Sequence, residues 1–392
     1  MYLDNNNGIK PSQKTFKAMS LALEMGWADI SAFHELGLES RRFWVEAHEA
    51  LYDLLGADDL DNVIITSSGA EAASQAIMSA YYNVSSDSNR KEFLVINNSE
   101  ASSLNAIKRL QGLGCSVNIL ECGKDGRVDF KQLEEMLTSK VMMLSLSWAD
   151  GLTGVIQDLE ELADLCYERG VLLHADATHI LGKVDLELSE IKADYLSFNM
   201  SQVGAPQGTG ALYVRRGVPF GALISGGAEQ SGMRGGNISA IQLAGLTQAS
   251  KEAKEGLAKN SMKMVDIRDY FEEKLKLKIE GVMVLFKGEE RLPNTSCVVF
   301  KDVYNESLLY YLNRSGVYAS CGGGNFQQLS HLLMNYGCDK ISSRGSVSFS
   351  LNYQISKADV DAVVDLIGLE VERVRKFNSI TIENRGVIVD EG

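Results

Sequence analysis

Proline is nearly absent, with four residues in 392 against thirty-six glycines. That balance argues against a proline-rich extended chain and suits many tight turns between regular elements. No run of eighteen apolar residues occurs, so no membrane span is expected. Met1-Tyr2-Leu3-Asp4 has neither a basic stretch nor an apolar core, so no secretory signal is expected. The six cysteines are scattered and form no C-x-x-C pair. This argues against a zinc ribbon or thioredoxin-type site, and reduced thiols in a cytoplasmic protein are expected. Basic charge is in deficit: 38 Lys and Arg against 52 Asp and Glu leave a net charge of −14. Such a surface repels phosphate backbones, so nucleic acid is not the expected partner, although a local anion pocket stays compatible.

What is present has the proportions of a soluble globular protein, 45% apolar and 23% charged. The length suits a large domain plus a smaller one. Residues 1–20 read as an arm with a turn at Asn5-Asn6-Asn7-Gly8, followed by helical periodicity from Phe16 to Leu23. Leu38, Arg42, Val45, His48 and Leu51 predict a helix over about 35–55. Seven short apolar runs then begin at Val63, Phe93, Val117, Val141, Val171, Tyr195 and Gly210, most of them separated by helical patterns. The pattern predicts an α/β domain over 21–250 with a mostly parallel seven-stranded sheet covered on both faces. Ligands of such sheets bind at the carboxyl ends of the strands. A polar helix from about Ile241 to Leu275 leads into a smaller α+β domain over 251–377, with strands at 282–285, 296–300 and 347–351 and helices at 306–314, 327–336 and 357–375. A polar tail is expected over 378–392.

Five segments could carry chemistry. Thr66-Ser67-Ser68-Gly69-Ala70-Glu71 joins a strand to a helix, where free N–H groups and small side chains can receive an anion; an ordinary turn has the same look. His174-Ala175-Asp176-Ala177-Thr178-His179 ends a buried strand. Asp176 could hold a protonated ring nitrogen or simply cap the next turn. His174 reads as a packed core residue, whereas His179 could reach the site without companions that would make it a metal ligand. Ser197 to Gly210 is a Gly/Pro-rich join between strands, and Gly226 to Asn237 is a glycine-rich loop with one Arg, suited to a pocket rim or subunit contact. Ala319-Ser320-Cys321-Gly322-Gly323-Gly324-Asn325 places a thiol beside three glycines, which suits a reactive cysteine and a plain free thiol equally.

In order along nearly the whole chain, these segments resemble the cysteine desulfurases of the class-V aminotransferase group, fold-type-I pyridoxal phosphate enzymes. Tyr2-Leu3-Asp4-Asn5-Asn6, Thr66 to Glu71, Gly154 to Asp158, His174 to Thr178 with Gly182-Lys183, Gly208 to Arg216, Gly232 to Gly236 and Arg291 to Thr295 carry the likeness. The resemblance implies a two-domain fold, a homodimer with active sites at the subunit interface, and partners in sulfur transfer or iron–sulfur assembly.

The family's roles fall on unsuitable residues here. Its Schiff-base lysine aligns with Gln202, and a carboxamide forms no imine. The preceding phosphate-binding His aligns with Ser201 and the phosphate Ser with Asn199. The ring-stacking His aligns with Ala101, and the Thr of the phosphate turn Ser68-Gly69 with Ala70. The Asn near the cofactor ring is Gly151, the carboxylate-gripping Arg is Ser348, and the Thr reaching the neighbouring subunit is Asn237. The sulfur-carrying Cys falls at Asn325 or Gly322, with Cys321 close by. Asp176 and Thr178 are kept, and Lys183 matches a family lysine other than the Schiff-base one. Five lost roles beside a preserved framework imply a noncatalytic binding, scaffold or regulatory homologue, with the regulatory partner of an active paralogue as a further reading. The alternative is an enzyme that holds pyridoxal phosphate noncovalently through Asp176, or that uses Cys321 or His179 for other chemistry.

Overall fold

A computed structural model describes residues 1–84, 90–323 and 328–387. Two helices, α1 (Gln13–Met25) and α2 (Glu35–Leu55), precede the sheet. The Ser12 hydroxyl caps α1 by accepting from the Thr15 N–H at 3.0 Å. Gly56 ends α2 in the left-handed region at φ 57°.

The large sheet is built from β1 (Asn62–Thr66), β2 (Glu92–Ile96), β3 (Ser116–Leu120), β4 (Val141–Ser147), β5 (Leu172–Asp176), β6 (Tyr195–Asn199) and β7 (Gly210–Val214). Their spatial order is β1-β7-β6-β5-β4-β2-β3. All neighbours run parallel except β7, which is antiparallel to both β1 and β6. The expected α/β sheet is present, with one difference. β3 is an edge strand and leaves Ile119 60% exposed, so its apolar run is not covered on both faces. At the other edge, the Gln230 side chain pairs with both backbone polar groups of Ile65 at 2.8 Å each, closing β1.

Helices α3 (Gly69–Val84), α4 (Ala101–Gln111), α5 (Phe130–Met136) and α6 (Leu159–Glu168) intervene between strands. Helix α7 (Ala240–Lys278) has 39 residues and is about 58 Å long. Its Leu243 and Leu246 pack into the core of the large sheet, while Ile267, Phe271 and Leu275 pack into a second core. That second core is completed by β8 (Val282–Val284), β9 (Thr295–Phe300), α8 (Asn305–Arg314), β10 (Ser346–Ser350) and α11 (Lys357–Val387), whereas α9 (Leu329–Asn335) packs Leu329, Leu332 and Leu333 into the core of the large sheet and α10 (Lys340–Arg344) leads into β10.

Two segment boundaries differ from expectation. The first residues do not hang free as an arm: Leu3 is fully buried in the second core, and Ser350 N–H donates to Leu3 O. The polar stretch beginning at Asn378 is helical to Val387, because no proline or glycine interrupts the backbone ladder before Gly386.

A buried ion pair ties α7 to the loop before β9. Arg291 donates to Glu272 at 2.9 Å, with side chains 3% and 0% exposed. Removing one partner strands a charge in the interior. Arg291→Met is therefore expected to lose about 3–5 kcal/mol of unfolding free energy. Adding Glu272→Leu should recover most of that loss. Urea unfolding of both variants checks this, and a single-variant loss below ~1 kcal/mol would contradict it.

Candidate functional site

Strand register gathers the candidate residues at one sheet edge. Thr66 and Asn199 both pair with Gly210, while Asp176 pairs with Ser147 and Ser197. The chain ends of β1, β6, β5 and β4 thus lie side by side, where ligands of parallel sheets bind. A Cβ on Gly210 would stand 2.3 Å from the Ser68 carbonyl carbon, so glycine lets the turn before α3 fold down onto β7.

A cavity of about 290 Å³ opens at this edge. Ser68, Gly69, Ala70, Asp176, Thr178 and His179 line it, and so do Asn199 and Gln202. Asn6, Asn7, Glu100 and Ser102 complete the wall and were not singled out by sequence. Glu100 immediately precedes Ala101 at the exit of β2, and that position at the strand ends was the available signal. The asparagines come from the first turn of the chain and meet the site only through tertiary contact.

Asp176 accepts from the Thr178 N–H at 3.0 Å, so it caps its turn while it faces the cavity. Burial, then the nearby Glu100 carboxyl, raise its pKa above the ordinary carboxylate range. Glu100 Oε1 lies 3.2 Å from His179 Nε2. Burial, then the Asp150 charge, push Glu100 up to about 8, and burial holds His179 below its ordinary value. At neutral pH the two form a largely uncharged hydrogen bond rather than an ion pair. His174 is a core residue as expected. It is fully buried between the Ser145 and Ser197 hydroxyls at 2.9 and 3.1 Å, and burial pushes it down to about 3.

Gln202 is fixed at both ends of its amide. Its Oε1 accepts from Lys183 Nζ at 2.9 Å, and its Nε2 donates to Asn6 O at 2.6 Å. Lys183 Nζ also donates to His179 O at 3.1 Å. Asn6 in turn donates to Gly151 O at 2.7 Å and to Thr295 Oγ1 at 2.8 Å.

Several sequence candidates lie outside the cavity wall. Gly151 contributes only the carbonyl that receives Asn6. Ser201 turns its hydroxyl onto Asn199 Oδ1 at 3.0 Å, and Ala101 opens α4 with a methyl group. Ser348 donates to Leu152 O at 2.7 Å inside β10, and Asn237 donates to Asp29 at 3.0 Å. Arg234 of the glycine-rich loop grips Glu71 at 2.9 and 3.3 Å. Cys321 is half-buried, its pKa raised first by burial, and its carbonyl accepts from Leu329 N–H. Gly322 has φ +83° beside it, and Asn325 lies outside the described residues. Among the described residues no group of three or more His, Cys, Asp or Glu side chains could hold a metal, and no helix is long and apolar enough to cross a membrane.

The displacement of Glu100 predicts a pH dependence. A carboxyl raised from 4.5 to about 8 favours the folded state fully below about 4.5 and loses that contribution as pH rises through about 8. Glu100→Gln lacks this loss. Its stability relative to the parent should therefore climb between pH 5 and 8 in denaturant titrations. Parallel curves for the two proteins would contradict the burial argument.

The chain is 30% identical over 388 residues to a cysteine desulfurase of Cereibacter sphaeroides, covering 98% of both chains. It is 28% identical over 396 residues to the cysteine desulfurase NifS of Azotobacter vinelandii, covering 100% of this chain and 97% of that one. A solved NifS-like protein shares the fold with a TM-score of 0.88 at 23% identity, over 95% of this chain and 99% of that one. A NifS-like protein of Rickettsia africae does so at 0.84 and 19%, over 95% and 99%. The α/β architecture is thus that of the fold-type-I pyridoxal phosphate enzymes. Residues 1–363 match the aminotransferase class-V family, and the chain belongs to that family, among the cysteine desulfurases.

Proposed function

We propose that this chain is a noncatalytic binding or scaffold homologue of the cysteine desulfurases, working beside sulfur transfer or iron–sulfur assembly in the cytoplasm. The observation that carries the reading is the state of Gln202. A carboxamide cannot attack an aldehyde as an amine does, and this one is occupied at both ends by Lys183 and Asn6. The side chains around it do not fit a covalently held pyridoxal phosphate. Ala101 offers no ring to stack, Ser348 is spent on Leu152 O, and Asn237 is spent on Asp29. Asp176 still faces the cavity and could receive a protonated ring nitrogen, but one contact supplies neither an imine nor a phosphate grip. The helix start at Ser68-Gly69-Ala70 remains suited to a small anion.

The partner in this reading is a second copy of the chain, with an active paralogue as the other possible subunit. Large apolar side chains are unusually exposed over residues 16–45. Phe16, Leu23, Trp27 and Phe33 are 62%, 65%, 71% and 101% exposed. Such a concentration suits a buried subunit contact.

Two outcomes are expected. Light scattering of the purified chain should give twice the 42.9 kDa mass, and Phe33→Glu with Trp27→Glu should reduce it to the monomer. A monomeric parent would contradict the dimer. Incubation with cysteine and added pyridoxal phosphate should release no sulfide above the protein-free rate, and Gln202→Lys alone should not restore release, because the stacking, phosphate and carboxylate contacts are missing as well. Sulfide production that vanishes in Cys321→Ala would overturn the noncatalytic reading.

A further inference from the structure

A second, larger cavity of about 570 Å³ lies behind Gln202, between the first turn of the chain, α7 and the segment leading into α11. Gln202 lines both cavities, and Lys183 lines the larger one. The lysine side chain is held in a wall of amides and backbone. Its Nζ donates to His179 O and Gln202 Oε1, both neutral. Among the described residues no carboxylate lies within 4.0 Å of its Nζ, and the residue is only 3% exposed. Lysines of this degree of burial are usually paired. Here two neutral acceptors and a cavity stand where a counter-ion would.

We propose that Lys183 is the nucleophilic amine of a binding site for small carbonyl compounds, aldehydes or 2-oxo acids, that enter through the larger cavity. The amine nitrogen attacks the carbonyl carbon. The carbonyl oxygen leaves as water with the two protons given up by the amine, and a C=N bond joins ligand to chain, with no net oxidation or reduction. The amide side chains of Asn260 and Gln354 suit the oxygen atoms of a small polar ligand, and Lys10 is the other cation of a wall that also carries the carboxyls of Glu252 and Asp359. Burial lowers Lys183 to about 7, so near neutrality a substantial share of it is the free base. An ordinary surface lysine is free base in roughly one molecule in 2,500 at that pH. Gly182 positions the residue: it sits at φ +69°, and a Cβ there would stand 2.7 Å from Val203. This site adjoins the cavity at the sheet edge through Gln202, which lines both, and it rests on the amine of Lys183 rather than on whether the chain releases sulfide.

The test uses glyoxylate as probe, on the full chain at pH 7 with cyanoborohydride, followed by peptide mass mapping. Lys183 should gain the carboxymethyl group at least tenfold faster than the exposed lysines. Asn260→Trp, which narrows the larger cavity without touching the amine, should slow labelling of Lys183 at least fivefold while leaving surface lysines unchanged. Glu252→Trp serves the same purpose if the first variant does not fold. Labelling confined to surface lysines and the Met1 amine would overturn the proposal, as would unchanged Lys183 labelling in a folded cavity-filling variant. Sulfide release from cysteine would contradict the noncatalytic reading alone and leave this result standing.

Discussion

The carboxamide of Gln202, donating at one end and accepting at the other, is the contact on which the site's arrangement depends. Its Nε2 holds the first turn of the chain through Asn6 O, and its Oε1 receives a buried amine from Lys183. An ammonium at this position could supply the donor but not the acceptor that Lys183 meets in Oε1. The residue is thus suited to its neighbours in a way that an imine-forming side chain would not be. Asn6 extends the same network to Gly151 and Thr295, and Asn294 donates back to Asn6 Oδ1 at 3.0 Å. Amides tie the opening segment, the sheet edge and the second core together at one point.

Around this point the electrostatics are arranged to avoid full charge. Glu100 is held protonated and His179 neutral by burial, and Lys183 is pulled toward its free base. Buried groups that change protonation rather than remain charged are the expected response to desolvation. Asp176, at the bottom of the smaller cavity, is raised in the same way by burial and by Glu100. The wall of that cavity carries no lysine or arginine among the described residues, so it lacks the cationic clamps a doubly charged phosphate requires.

Much of this was legible in the sequence, and the reasons for the remainder are physical. Seven apolar runs separated by turns and helical patterns predicted the sheet because strand burial is written locally. The edge position of β3 was hidden, since an apolar run reads the same whether or not a neighbour covers it. Asp176 was read from its place at a strand end, where parallel sheets converge, whereas Asn199 and Gln202 were placed only by the family resemblance. Glu100 was passed over in favour of its neighbour Ala101. Asn6 and Asn7 were read as a turn, because their part in the wall depends on contacts between residues nearly 200 positions apart. The burial of Leu3 in the second core was invisible for the same reason. Helix α11 continued past Asn378 because polar composition alone does not stop a helix.

The most direct measurement is a crystal structure of the chain soaked with pyridoxal phosphate. The account predicts that Gln202 still bridges Lys183 Nζ and Asn6 O, and that no covalent bond joins the cofactor to the chain in the cavity beside Asp176. A cofactor covalently attached in that cavity, with the Gln202 amide displaced from both partners, would contradict it.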